Sequence, residues 1–159
     1  MNTLKFPYNS LPKNLHLFLL LNDVPDIYCL YFSLIFDREI LQLKDGGEVA
    51  LDWKDSDCEK DSPIIIILPG LTGESQADYI KCLVAAANQI GIRCCVFINR
   101  GLGGIALKTP RLYCAANCED LSEVVNYVYI NNPNVLIAAT GKTISILVCS
   151  YACDKHFNK

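Results

Sequence analysis

A chain of 159 residues with 52% hydrophobic content holds one domain with a proper core, which excludes a disordered chain. Its formal net charge of −3 provides no basic footprint, so nucleic acid is excluded as a partner and no polybasic patch is present for an anionic membrane. Nine cysteines without a signal-peptide pattern predict reduced thiols in an intracellular setting.

Residues 1–36 carry no regular period. Pro7, Pro12 and Pro25 interrupt any long helix, and the apolar runs Leu15–Leu21 and Ile27–Phe36 are separated by Asn22-Asp23-Val24-Pro25-Asp26. Each run is too short to span a bilayer, and a span built from both would place two aspartates and a proline near its middle. Ile27–Phe36 reads as a buried segment or a surface-packed arm, with a membrane-dipping segment as the other reading. From Arg38 the pattern sharpens. Glu39–Leu43 and Glu48–Trp53 are predicted strands joined by Lys44-Asp45-Gly46-Gly47, a hairpin signal. Lys54–Ser62 reads as a solvated loop that ends at Pro63. The run Ile64-Ile65-Ile66-Ile67-Leu68 has no polar alternation and predicts a strand buried on both faces.

That strand delivers Pro69-Gly70-Leu71-Thr72-Gly73, a turn whose glycines allow a sharp bend with exposed N–H groups. Helical spacing of Tyr79, Ile80, Leu83, Val84, Ala87 and Ile90 predicts a helix over Gln76–Ile90, ended by Gly91. Ile92–Ile98 is a further apolar strand, followed by Asn99-Arg100-Gly101-Leu102-Gly103-Gly104. Asn117 is placed to cap a second helix, with Glu119 and Asp120 in its first turn and Leu121, Val124, Val125 and Val128 on one face. Pro133 ends that connection, and Val135–Ala139 predicts a third buried strand. Helices alternating with apolar strands from residue 63 onward predict an α/β fold with a largely parallel sheet.

Several constellations invite chemistry. The Gly70–Gly73 turn reads either as a tight strand-to-helix turn or as half an oxyanion hole through the Leu71 N–H. Thr140-Gly141-Lys142-Thr143 follows a strand as a phosphate loop does, but such a loop needs a glycine at position 136, where this chain has Leu136. Arg100–Gly104 could cradle an anion; without a helix directly behind it, a flexible loop is the simpler expectation. Cys114, Cys118, Cys149 and Cys153 with His156 have spacings atypical of structural zinc, so no metal and no cofactor is expected, and the thiols read as small apolar groups. His16 and His156 are the only histidines, and neither has the strand-end setting of a general base.

With these stretches laid out, the chain from Arg38 to Gly141 resembles the α/β-hydrolase superfamily, and within it the abhydrolase-domain phospholipases and lipid-ester hydrolases related to the YheT-like esterases. Asp45–Trp53 (DGGEVALDW), Pro69–Gly73 (PGLTG), Phe97–Gly104 (FINRGLGG) and Thr109–Leu121 (TPRLYCAANCEDL) carry the resemblance, in that order along the chain. It implies a mostly parallel sheet with an N-terminal antiparallel hairpin, strand order first, second, fourth, third, fifth, and truncation after about the fifth strand. Residues 1–37 would be a divergent N-terminal segment, 38–141 a partial hydrolase domain, and 142–159 an unrelated tail, as a retained splice-donor sequence encoding Gly141-Lys142 would produce.

The resemblance also implies roles. Leu71, within Gly70, Thr72 and Gly73, would donate one oxyanion hydrogen bond. Gly141 stands where the first glycine of the G-x-S-x-G nucleophile elbow belongs. There the match stops: the serine position is Thr143 and the closing glycine is Ser145. A β-branched residue fits the strained elbow poorly, and Asp154 and His156 lie too near Thr143 to come from separate strand ends. The expectation is a truncated or degenerate serine ester hydrolase that is itself inactive. Its full-length relatives act on lipid or other carboxylic esters, and membrane association follows by resemblance alone. A second reading is a non-catalytic interaction module with a protein partner at the open edge of the fifth strand. A third is a nucleotide binder through Gly141-Lys142-Thr143.

Overall fold

The computed structural model describes residues 34–55, 57–70, 72–114 and 118–141. In chain order the elements are β1 (Asp37–Gln42), β2 (Glu48–Lys54), β3 (Ile64–Leu68), α1 (Asp78–Gln89), β4 (Arg93–Ile98), α2 (Glu119–Asn131) and β5 (Ile137–Gly141). The strands form one sheet in the order β1-β2-β4-β3-β5. β2 is antiparallel to both β1 and β4, whereas β3 runs parallel to β4 and to β5. This is the expected α/β fold with its N-terminal hairpin.

β3 explains the layering. Successive side chains of a strand point to opposite faces, and every residue from Ile64 to Leu68 is buried. Ile64, Ile66 and Leu68 pack with Cys95, Phe97 and the Leu121, Val124 and Val128 stripe of α2. Ile65 and Ile67 pack on the other face with Cys94, Val96 and the Ile80, Val84 and Ala87 stripe of α1. The two helices therefore cover opposite faces, and the run of isoleucines is apolar on both because water reaches neither.

Local chemistry sets the boundaries. The hairpin closes as a three-residue loop in which the Gly46 N–H donates to Leu43 C=O at 2.9 Å and Leu43 N–H to Gly47 C=O at 2.8 Å. Gly46 takes φ +81°, the left-handed residue such a loop requires. The Asp45 carboxylate accepts the Gly47 N–H at 2.9 Å. α1 ends in a Schellman arrangement: Gly91, φ +76°, donates to Asn88 C=O, and Ile92 donates to Ala87 C=O, each at 3.0 Å.

Three expectations are adjusted. α1 begins at Asp78 rather than Gln76, because the Ala77 N–H closes a turn onto Glu74 C=O at 3.1 Å before the helix starts. β5 spans Ile137–Gly141 rather than Val135–Ala139, since Asn134 at φ 67° and a Val135 N–H bond to Asn132 C=O use that stretch as a turn. It is half-buried rather than buried, because within the described residues only β3 pairs with it. α2 begins at Glu119 with Cys118 at its cap position, and Asn117 lies outside the described residues.

Among the described residues Cys58, Cys94, Cys95, Cys114 and Cys118 are free thiols. Cys82 is disulfide-bonded, so the expectation of reduced thiols does not hold for it. Burial holds the Cys94 thiol at about 12 and raises Cys95 well above its ordinary value, so both behave as apolar packing groups. No described helix is long and apolar enough to cross a membrane.

Candidate active site

Everything of chemical interest gathers at the carboxyl ends of the parallel strands. In the register of β3 against β5, Leu68 pairs with Gly141. Leu68 immediately precedes the Pro69–Gly73 turn, so the turn and Gly141 leave the sheet from adjacent strands at one level, about 4.8 Å apart. The two motifs that lie 68 positions apart in sequence (Gly73 and Gly141) are thus brought together by strand pairing. A cleft opens beside them, lined by Leu68, Pro69, Phe97, Asn99, Arg111 and Asp120 among others. Carboxyl-edge crevices of this kind are where open α/β sheets bind ligands.

The turn itself is tight. Gly73 N–H donates to Gly70 C=O at 2.8 Å. A Cβ added at Gly73 would stand 2.6 Å from Pro69 Cβ, so only glycine fits there. Gly70 N–H donates to the Tyr79 hydroxyl at 2.8 Å. Thr72 is exposed at the tip. Leu71, the expected oxyanion donor, lies outside the described residues, as do Lys142, Thr143 and Ser145. Gly141 is the last residue of β5.

Two residues of the cleft lining, Asp120 and Arg111, belong to an ionic clamp that the sequence reading missed. Arg100 follows β4 and is 2% exposed. Its Nε and Nη2 donate to the two Asp120 carboxylate oxygens at 2.7 and 2.8 Å. Nη1 donates to Asp45 at 2.9 Å and to the Thr109 hydroxyl at 3.0 Å, and Nη2 reaches Asp45 again at 3.3 Å. All five guanidinium protons are thereby used, so Arg100 has none left for a bound anion. The expected flexible Arg100–Gly104 loop is instead pinned: Arg38 Nη1 holds Gly103 C=O at 2.6 Å, while Arg38 grips the buried Asp52 in a bidentate pair at 2.6 and 2.7 Å. Hydrogen bonding to Asp52 raises the Arg38 pKa. Arg111 completes the cluster, reaching Glu119 at 2.8 Å, Asp45 at 3.2 Å and Asp120 at 3.3 Å. The signal was present in Asp45, Arg100 and Asp120, but the sequence places them separately, in a hairpin turn, a loop and the first turn of a helix, and nothing local joins them.

A pH prediction follows from Asp45. Its hydrogen bond from Arg100, then that from the Gly47 N–H, holds its carboxyl below the ordinary value of 3.8. A carboxylate with a depressed folded pKa stabilises the fold above its unfolded pKa, and that stability is lost as pH falls through the folded value. Asp45→Asn is therefore expected to lower the melting temperature at pH 7 and to flatten its fall below about pH 4. Parallel acid limbs in the two proteins, measured by thermal melts from pH 7 to 2, would contradict this.

On the opposite side of the hairpin, Glu39 accepts from Trp53 Nε1 at 3.0 Å and from the Tyr127 hydroxyl. That carboxylate raises the Tyr127 pKa and ties α2 to β1. At the amino ends of the strands, Arg93 pairs with Asp55 at 2.9 Å over the Trp53 ring. Both sites are remote from the cleft and structural. No three metal-ligating side chains converge among the described residues. Cys149, Cys153 and His156 lie outside those residues.

No protein-family model matches the sequence. The chain is 40% identical over 123 residues to human phospholipase ABHD3, an alignment covering 73% of this chain and 30% of that protein. Its fold matches an α/β serine hydrolase homologue from Coxiella burnetii with a TM-score of 0.62 at 18% identity, over 79% of this chain and 60% of the other. The chain belongs to the abhydrolase-domain family of α/β hydrolases. Mouse monoacylglycerol lipase ABHD2 is 26% identical over 127 residues, covering 77% of this chain. The chain spans about 30% of the length of the curated abhydrolase relatives it matches. Its five strands fit the first part of the α/β-hydrolase fold.

Proposed function

We propose that this chain carries the carbonyl-binding half of a lipid-ester hydrolase site and does not itself hydrolyse esters. The pairing of Leu68 with Gly141 carries the reading. In this reading the Pro69–Gly73 turn supplies the Leu71 N–H as oxyanion donor, and Gly141, level with Leu68, leads to the position from which an abhydrolase presents its nucleophile. In an intact site of this type a serine hydroxyl attacks the ester carbonyl, its proton passes to a histidine, and the oxyanion that forms is held by backbone N–H groups. Here Gly141-Lys142-Thr143-Ile144-Ser145 stands in place of G-x-S-x-G. Thr143 has a hydroxyl, but its second Cβ substituent opposes the strained elbow, and Ser145 adds a side chain where strand and helix must approach closely.

The substrate class of the site is a lipid or other carboxylic ester, in keeping with relatives named phospholipase and monoacylglycerol lipase. Residues 38–141 form the hydrolase unit in this reading, and residues 142–159 form a separate tail. A fluorophosphonate probe, which labels activated serine nucleophiles, tests the claim. The 159-residue chain is expected to stay unlabelled under conditions that label an intact serine esterase; stoichiometric labelling would overturn it.

A further inference from the structure

The geometry points to Tyr79 as the positioning residue of the Pro69–Gly73 turn: its hydroxyl takes the Gly70 N–H and so fixes which amides of the turn remain to meet a substrate oxygen. The inference rests on the oxyanion reading above and adds to it a side chain from α1. Three observations converge. The Gly70 N–H to Tyr79 Oη bond is 2.8 Å long, well within the range of a good hydrogen bond. The turn is folded down onto that oxygen, since a Cβ at Gly73 would lie 2.8 Å from Tyr79 Oη and 3.0 Å from Gly70 N. And the Tyr79 side chain is a poor candidate for core packing: it is 36% exposed, whereas Ile80 and Val84 on the same helix are 0% exposed.

Gly73 N–H is also engaged, by Gly70 C=O at 2.8 Å. Both glycine amides of the turn are therefore committed within the protein and neither is available to an anion. Tyr79 thus selects donors by occupying one of them. It also ties Gly70, at the start of the turn, to the first turn of α1 before any ligand arrives, the kind of preorganisation an oxyanion site relies on.

The test uses the full chain, isotopically labelled for amide resonances, with butyrate as a carboxylate probe of the turn. In Tyr79→Phe the Gly70 amide is expected to exchange about five- to tenfold faster, the loss of one modest hydrogen bond. Amides of the core residues Val84 and Val124 should keep their wild-type protection, which a merely stabilising tyrosine would not allow. Butyrate is expected to shift the Thr72 amide of the wild type and to bind the variant about fivefold or more weakly, in proportion to the same lost bond. Equal butyrate affinity in the two proteins, or unchanged Gly70 exchange, would overturn the role of Tyr79 alone. No butyrate response in the wild type would overturn the oxyanion reading and this inference together. Should Tyr79→Phe not fold, Gly73→Ala disturbs the same turn through its contact with Pro69 and Tyr79, and undiminished butyrate binding there would equally overturn the proposal.

Discussion

Arg100→Ala is expected to lower the unfolding free energy by about 3–5 kcal/mol, the loss typical when one member of a buried ionic group is removed. The size follows from what is left behind. Asp120, 13% exposed, would lose its bidentate partner and keep only the longer contact to Arg111 at 3.3 Å, while Asp45 and the Thr109 hydroxyl would lose their shared donor. The clamp joins four places in the chain, namely the hairpin turn, the loop after β4, residue 109 and the first turn of α2. Its removal should therefore loosen the wall of the cleft as well as the fold. Since domains of this size are stable by only about 5–15 kcal/mol, the variant would be close to unfolded at ambient temperature. Arg111→Ala supplies the contrast: its side chain is 34% exposed, and exposed pairs contribute at most about 1 kcal/mol. Urea denaturation of both variants checks this, and an Arg100→Ala midpoint within error of Arg111→Ala would contradict the clamp.

Ile66→Ala is expected to cost about 2–5 kcal/mol through lost apolar burial and the cavity left behind. Ile66 is 0% exposed at the centre of β3, paired with Cys95 on one side and Ala139 on the other, and it faces the α2 stripe. Neighbours on both flanking strands and on the helix limit how far the site can collapse. Because β3 carries the Pro69–Gly73 turn and sets its level against Gly141, this loss should also broaden the turn's amide resonances. Ile40, 50% exposed on β1, is the control, with an alanine change expected to stay within about 0.5 kcal/mol. Equal effects at the two positions would mean that β3 is not the centre of the core.

The sheet was legible in the sequence where the local pattern and the tertiary demand agree. A short β-branched apolar run that ends in a Pro-Gly turn reads as a strand wet on neither face, and Ile64–Leu68 is that. Asp45-Gly46 and Gly91 each announced a left-handed backbone, and both glycines adopt it. The strand order came from the resemblance, since no local signal tells β4 to lie between β2 and β3. What stayed hidden depends on distance along the chain. Arg100 meets partners 9, 20 and 55 residues away, and no window of local sequence holds them together. Tyr79 was assigned to the apolar stripe of α1 by spacing, whereas its hydroxyl turned out to matter through a backbone amide nine residues earlier. The start of β5 was misplaced because Val135 and Leu136 look like strand, while Asn134 at positive φ delays it.

The central proposal is that this stretch of chain carries the surface that receives an ester carbonyl without an activated hydroxyl to attack it. The most direct measurement is the hydrolysis of p-nitrophenyl butyrate by the purified 159-residue chain, beside its Thr143→Ala variant. The account predicts that both proteins turn over the ester no faster than buffer alone. Sustained turnover by the parent chain that disappears in Thr143→Ala would contradict it.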